Sequence, residues 1–221
     1  MKFISKKLYI FPALALLISL CAYPLLPEQI PVHFDFSGTP DNYSGKWFVL
    51  VIPAIMAALL LLAEFLPKWD PKSDNYSKFP KAYQLIHILT QILLLVTHIA
   101  TIAYPLLQEN GFGFSLSSNI NIGHIVSPAV GIMLMVIGNY MPKFKQSFFC
   151  GIKTPWALAD EEIWYKTHRL VGTLWVIGGF LFVLVPFMNE TLGTVILFAD
   201  LFILVLVPYA YSYWIYREKF K

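Results

Sequence analysis

Residues 47–67 read WFVLVIPAIMAALLLLAEFLP, an apolar run in which Glu64 is the only charged residue. An α-helix rises ~1.5 Å per residue, and a bilayer has a hydrocarbon core of ~30 Å. About twenty apolar residues therefore suffice to cross the membrane, and this run has that length. The stretch therefore predicts a transmembrane helix.

Five more apolar stretches of similar length lie on either side of this run. They cover residues 8–26, 82–106, 121–141, 170–188 and 193–216. Hydrophobic residues make up 57% of the 221 residues and charged residues only 13%, which is typical of a chain mostly in lipid. We therefore predict an all-α integral membrane protein with six transmembrane helices and no room for a separate soluble domain.

The basic residues predict the orientation of this protein. Fifteen of the sixteen Lys and Arg residues fall at the termini or in alternate loops, and only Lys46 falls on the other side. Because basic residues near span ends favour the cytoplasm, both termini are predicted to be cytoplasmic. The net charge is +3, and the cations lie along one membrane face, where anionic lipid headgroups attract them. We expect contact with the bilayer and no direct nucleic-acid binding.

Two loops are long enough to carry structure of their own. The outer loop 27–46 alternates apolar and polar residues around Val32–Ser37, which indicates a short extended piece. The inner loop between the fourth and fifth spans, residues 142–169, is predicted to be structured along the membrane surface. Thr154-Pro155 is suited to open a turn or helix, and Asp160 is suited to cap one. The predicted modules are a two-helix module, 1–81, and a four-helix module, 82–221.

Pairs of glycines recur seven residues apart in two of the spans. Gly131 and Gly138 lie in the fourth span, and Gly172 and Gly179 lie in the fifth. Seven residues return to nearly the same helix face, and small residues allow helices to approach closely in lipid. The alternative is that glycine is simply frequent in transmembrane helices.

Four ionisable residues lie inside the predicted spans, where each costs about 2.5–3.5 kcal/mol on insertion scales. Depth suggests two pairs, His98 with Asp200 and His87 with Glu64. One interpretation is that these pairs join helices by polar contacts. The other is a path for protons or a ligand along the third helix, where His87, Gln91 and His98 share a face. That path would suit a small-solute or proton-coupled transporter.

Two segments resemble known families. Residues 26–47, LPEQIPVHFDFSGTPDNYSGKW, resemble a short N-terminal domain of unknown function with the pattern Leu-Pro, Ile-Pro-x-His-Phe, Gly-x-Pro-Asp and a following Trp. Residues 138–172, GNYMPKFKQSFFCGIKTPWALADEEIWYKTHRLVG, resemble the SdpI family of bacterial immunity membrane proteins. The chain departs from the second pattern at Lys153, where the family usually has Arg, and at Ser147, where it usually has Asn. Lys cannot form the planar bidentate contacts of Arg.

The resemblance implies a non-enzymatic protein of the bacterial cell membrane, without a cofactor, that protects against a secreted peptide toxin. It also implies that the inner face holds a cytoplasmic transcriptional repressor. The toxin-binding candidates come from the outer loop and are His33, Phe34, Asp35 and Asp41. The candidates for binding the inner partner are Asn139, Lys143, Lys153, Trp156, Trp164, His168 and Arg169. The alternative for the inner residues is a loop that satisfies its own hydrogen bonds.

A membrane metalloenzyme is a further alternative. It depends on four metal-ligand residue types on the outer side, namely His33, Asp35, Asp41 and His124. Their spacing matches no compact metal motif, so the sequence predicts no metal site.

Overall fold

The computed structural model describes residues 3–35, 39–109 and 122–221. Its long helices are α1 (Ile10–Ala22), α2 (Val51–Trp69), α3 (Pro80–Glu109), α4 (Gly123–Tyr140), α6 (Glu161–Leu184) and α7 (Glu190–Lys219), with a short α5 (Pro155–Ala159) between α4 and α6. Together with adjoining 3-10 turns, six helices in this part of the chain are long and apolar enough to cross a membrane. The predicted all-α membrane fold with six spans is confirmed.

Six spans place both termini on the same side of the membrane. We call this the inner side and the opposite one the outer side. That the inner side is the cytoplasm stays a prediction. Most of the second outer loop, predicted near residues 107–120, lies outside the described residues.

The first outer loop contains a β-hairpin. Strand β1 (Gln29–Phe34) pairs antiparallel with β2 (Pro40–Gly45), and the register is irregular around His33. The predicted extended piece around Val32–Ser37 overlaps β1, although residues 36 and 37 lie outside the described residues, and the sequence pattern did not predict the second strand. Ile30 is fully buried against the outer ends of the helices, with Val49 and Ile102 in the same cluster. This contact fixes the hairpin to the helices.

The fifth span starts nine residues earlier than its apolar stretch indicates. Asp160 Oδ1 accepts hydrogen bonds from the backbone N–H groups of Glu162 (2.9 Å) and Ile163 (3.1 Å), so the helix begins at Glu161. The predicted inner loop is correspondingly shorter than residues 142–169. Thr154 caps α5 by accepting from the Ala157 N–H at 3.2 Å. Both predicted helix-start signals are confirmed.

The glycine pairs bring α4 and α6 into backbone contact. A Cβ built on Gly131 would lie 2.4 Å from the Gly179 carbonyl oxygen, and one on Gly179 would lie 2.5 Å from the Gly131 oxygen. Gly138 and Gly172 face each other in the same way, at 2.8 and 2.7 Å. No larger residue fits these positions while the helices stay so close. The predicted close approach is therefore confirmed.

Candidate functional site

On the outer side, the hairpin brings His33 and Asp41 together. His33 Nδ1 lies 2.6 Å from Asp41 Oδ1 across the two strands, and both side chains are exposed. Asp35 Oδ1 accepts a hydrogen bond from the Thr39 N–H at 2.8 Å. Phe34 packs edge-on against Tyr104 of α3, with ring centroids 5.1 Å apart. The four outer candidates thus lie on one small hairpin, but they face different neighbours.

A cavity of about 330 Å³ opens between the outer ends of α4, α6 and α7. Its walls include Val126 and Val130 of α4, Phe182 of α6 and Leu197 of α7. Asp35 of the hairpin also lines it. Residues of both the outer loop and the C-terminal helices therefore line the cavity, and the sequence did not indicate that these segments lie close together.

Asp70 connects the two inner loops. Its Oδ2 accepts from the Tyr76 hydroxyl at 2.7 Å and from the Phe148 N–H at 2.8 Å, and its Oδ1 accepts from the Lys72 N–H at 2.8 Å. Tyr76 is fully buried, and burial together with the hydrogen bond to Asp70 raises its pKa far above the usual range. Its hydroxyl therefore stays protonated and donates to Asp70. One carboxylate joins the segment after α2 to the segment after α4.

Gln146 and Asn75 strengthen this connection. The Gln146 amide donates to the carbonyl oxygens of Ala157 (2.8 Å) and Leu158 (2.7 Å), and its side-chain oxygen accepts from Lys72 Nζ. Asn75 donates to the Gln146 backbone oxygen at 2.8 Å. Together with Asp70 these contacts form what we call the inner clamp, defined by residues 70–76 and 144–152.

Trp164 and His168 attach the inner clamp to α6. Trp164 Nε1 donates to the Phe144 carbonyl oxygen at 2.8 Å. His168 Nδ1 donates to the Trp164 carbonyl oxygen (2.8 Å), and its Nε2 accepts from the Ile152 N–H (3.0 Å). Both ring nitrogens are therefore used by a neutral imidazole, which is fully buried. Gly151 packs against this ring at a φ of +105°, a conformation that favours glycine.

The predicted inner-face residues fall into two groups. Trp164 and His168 are buried, and Trp156 packs on Tyr209 and Tyr213 of α7 with ring centroids 5.0 and 4.9 Å away. The others are exposed: Asn139, Lys143, Lys153 and Arg169. The structure therefore supports the self-satisfying loop for the first group, whereas the second group takes no part in it.

Ser147, where the family usually has Asn, lies inside the clamp. Its hydroxyl donates to the Cys150 carbonyl oxygen at 2.7 Å. Lys153, the other departure, is exposed. The departure at Ser147 therefore affects a hydrogen bond inside the clamp, whereas the departure at Lys153 changes an exposed side chain beside the clamp.

The predicted pair of His98 and Asp200 does not form. His98 Nε2 lies 2.9 Å from Ser19 Oγ and 3.2 Å from the Ala15 carbonyl oxygen, both on α1. Asp200 packs on Gly178 of α6, and its Oδ2 has no hydrogen-bond partner in the described structure. The prediction was wrong because depth alone does not say which helices are neighbours: α3 packs on α1, whereas α7 packs on α6.

The predicted pair of Glu64 and His87 does not form either. No hydrogen bond or ion pair joins them in the described ranges, and His87 packs against the Tyr83 ring, with centroids 4.7 Å apart. Gln91 donates to the Met56 carbonyl oxygen of α2 at 3.1 Å. Polar groups of α3 thus bond separately to the helices beside it and form no continuous path.

No group of three or more His, Cys, Asp or Glu side chains among residues 3–35, 39–109 and 122–221 is arranged to hold a metal ion. His33 and Asp41 are paired, while Asp35 and His124 line the cavity. The outer residues that could ligate a metal are therefore divided between two places.

Sequence reasoning missed the residues that organise the clamp, above all Asp70 and Gln146. Both are buried polar residues next to the membrane. A signal was present in Asp70-Pro71, since an aspartate before proline favours a turn. Nothing in the local sequence of Gln146 indicated its partners.

This fold and site define a multi-pass helical protein of the cell membrane, with a hairpin on one face and a clamped loop on the other. The sequence model of the SdpI/YfhL protein family matches residues 143–212, and that of a domain of unknown function (DUF1648) matches residues 10–57. The predicted resemblance to the SdpI family, preceded by a domain of unknown function, is confirmed.

The chain is also similar along nearly its whole length to a characterised relative. It is 26% identical over 209 residues to the protein named Immunity protein SdpI of Bacillus subtilis (strain 168), an alignment that covers 95% of this chain and 94% of the relative. No solved structure matches the chain.

Proposed function

We propose that this protein is a non-enzymatic membrane immunity protein that protects its cell against a secreted peptide toxin. The observation that carries the proposal is the end-to-end similarity to an immunity protein. Both the hairpin segment and the inner clamp fall inside that alignment, which covers nearly the whole chain. A relative that shared only helices would not align in both loops.

The outer hairpin is the proposed place where the toxin is met. His33 and Asp41 are exposed and paired on its surface, and Phe34 lies partly buried beside Tyr104. A secreted peptide arrives from the outer side, and this hairpin is the folded segment that the described chain presents there. Phe34 and the His33–Asp41 pair offer an apolar and a polar contact to such a peptide.

The inner surface beside the clamp is the proposed place where a cytoplasmic repressor is held. The exposed cations Lys143, Lys153 and Arg169 offer an acidic surface of a partner several charge contacts. Trp164 and His168 act indirectly, because they hold the clamp in shape from within. A coupled response requires that the toxin-bound and free proteins differ in conformation at the clamp.

The two predicted modules, 1–81 and 82–221, form part of this proposal. The two family matches, 10–57 and 143–212, fall one in each module. In this division the first module contributes the hairpin, and the second contributes the glycine-packed helices and the 144–152 half of the clamp.

The protection proposal is tested by deleting the gene in its own organism and growing the deletion strain beside its parent. We expect the deletion strain to lose viability and to recover when the full chain is restored. A chain carrying His33→Ala and Asp41→Ala should restore less survival than the wild type at equal membrane abundance, which immunoblotting measures. Equal survival of the deletion strain and the restored strain would refute an immunity function.

The signalling proposal is tested on the surface cations alone. The triple variant Lys143→Ser, Lys153→Ser, Arg169→Ser should lose co-purification of a cytoplasmic partner while retaining survival. The control variant Lys219→Ser alters a cation that is already paired with Asp160 and Glu162. If the triple variant captured the same partner as the wild type, the docking role of these cations would be wrong.

A further inference from the structure

The outer cavity has the shape and chemistry of a binding site. Its apolar lining includes Val126, Val130, Phe182 and Leu197, whereas Glu190 and His124 line it as exposed polar residues. Ligand pockets measure about 300–1,000 Å³, so a cavity of about 330 Å³ lies at the lower end of that range. It has room for a few side chains and not for a whole folded peptide.

The charge around the cavity is one-sided. Among residues whose side chains the structure describes, the predicted outer loops and adjoining helix ends carry four carboxylates and a single lysine: Glu28, Asp35, Asp41, Glu190 and Lys46. Lys46 is bonded to Glu28 at 2.9 Å, so it does not neutralise the cavity. Asp35 and Glu190 line the cavity itself. A ligand with positive charge is therefore attracted to this opening.

A second carboxyl group lies deeper on the same side of α7. Asp200 is three residues beyond the cavity-lining Leu197, one helical turn further into the membrane. It is only 5% exposed, and its Oδ2 has no hydrogen-bond partner among the described residues.

We propose that this cavity binds the apolar end of a cationic peptide, with one or two large apolar side chains against Val130 and Phe182 and a positive group beside Glu190 and Asp35. The inference rests on the proposed immunity function, because it identifies where and how a toxin is recognised. Asp35 links this site to the hairpin, so an occupant contacts both modules at once.

Survival of cells that express cavity variants gives the first test. Val130→Trp fills the cavity, and Glu190→Lys reverses the charge at its opening. Both should lose protection at normal membrane abundance. The control Val205→Trp adds the same ring to a lipid-facing position of α7 that is 66% exposed, and it should protect as the wild type does. If the wild type protects and both cavity variants protect equally well, the cavity inference is overturned and the immunity proposal stands.

Direct binding gives the second test and does not depend on any toxin. The probe is the synthetic peptide Lys-Leu-Phe-Leu amide, and its neutral partner has an acetylated norleucine in place of the lysine. Equilibrium dialysis against the full chain in lipid nanodiscs, with empty nanodiscs subtracted, measures retention of each peptide. We expect the cationic probe to bind saturably and up to about fivefold more tightly than the neutral one, the range set by exposed charge pairs.

Val130→Trp should abolish this saturable retention, and Glu190→Gln, which leaves Asp35 in place, should reduce the preference for the cationic probe. Retention by the wild type that does not exceed retention by Val130→Trp would overturn the inference. If the probe binds as expected but the wild type gives no protection in cells, the immunity proposal fails while the cavity remains a peptide site.

Discussion

At the residue scale, two polar side chains of α3 inside the membrane, Gln91 and His98, bond to the helices beside them. His98 bonds to Ser19 and Ala15 of α1, and Ser19 Oγ also lies 2.9 Å from the Val49 carbonyl oxygen before α2. One small group thus joins α1, the turn before α2, and α3. In lipid such contacts matter because lipid tails are as apolar as the helix faces, so helix association gains no hydrophobic free energy.

The first prediction concerns this group. Ser19→Ala and His98→Leu should couple in a double-mutant cycle by about 0.6 kcal/mol and at most about 1.7 kcal/mol, the values measured for interhelical hydrogen bonds in membranes. His98→Leu and Asp200→Asn should be additive, since the two residues do not meet. Thermal unfolding in detergent measures both cycles. Coupling between His98 and Asp200 that exceeded the coupling with Ser19 would contradict the described contacts.

The second prediction uses Cys150, a free cysteine inside the inner clamp. Burial raises the pKa of the Cys150 thiol to about 12, so almost no reactive thiolate exists at pH 8. In a Cys21→Ser background, maleimide labelling at pH 8 should be very slow compared with labelling after unfolding in SDS. The reaction should accelerate only when the clamp opens.

Gly151→Ala should open the clamp. An Ala Cβ would lie 2.5 Å from His168 Nε2, at a φ of +105°. Backbone strain of ~1–3 kcal/mol corresponds to roughly five- to hundredfold faster labelling if opening precedes reaction. The control Lys153→Ala changes an exposed side chain of the same loop and should label as slowly as the wild type. Equal rates for Gly151→Ala and the control would mean that the glycine is not needed for the clamp.

At the element scale, the contact of α4 with α6 organises the second module. Glycines at two levels let the two backbones touch, and α7 also packs on α6. Asp160 at the start of α6 also bonds to Lys219 at the end of α7, at 2.9 Å, and this hydrogen bond lowers the pKa of Asp160. The three helices therefore form one unit around α6.

The third prediction tests the glycine contact. Gly179→Ala places a methyl group 2.5 Å from the Gly131 carbonyl oxygen, and backbone cannot rotate away as a side chain can. We expect destabilisation of about 1–3 kcal/mol, the usual cost of overpacking. The matched control is Gly193→Ala in α7, where the nearest atom is Val185 Cγ1 at 3.3 Å. Similar unfolding temperatures for the two variants would show that close helix approach does not limit stability.

At the scale of the whole molecule, two faces of different chemistry are held by one helical frame. The hairpin and the cavity lie on the outer side, and the clamp lies on the inner side. The clamp ties the connection between α2 and α3 to the connection between α4 and α6 through Asp70 and Gln146. A change in the packing of the two modules would therefore strain the clamp.

The fourth prediction concerns orientation. A reporter that is active only in the cytoplasm should be active when fused after residue 221 or inserted near Ser73, and silent when inserted near Ser117. Basic residues flank the first two sites and are absent around the third. Each fusion needs an immunoblot to show that it is made. An active fusion near Ser117 would reverse the assignment of inner and outer sides.

The sequence alone determined the features of this protein that depend on nearby residues. Span lengths follow from apolar runs such as residues 47–67, and helix starts follow from Thr154 and Asp160, whose side chains bond to N–H groups two or three residues away. The glycine-lined faces of α4 and α6 could also be predicted, because residues seven apart lie on nearly the same face of a helix. These are local properties of the chain.

Only the tertiary structure decided which polar groups meet. His98 pairs with Ser19 and not with Asp200, Asp70 holds a backbone group 78 residues away, and a cavity forms where α4, α6, α7 and the hairpin come together. In lipid every span is apolar, so hydrophobicity does not say which helices are neighbours. The choice of neighbouring helices depends on how closely they fit at contacts such as Gly131 with Gly179. It also depends on distant partners for buried polar atoms. A linear sequence specifies neither.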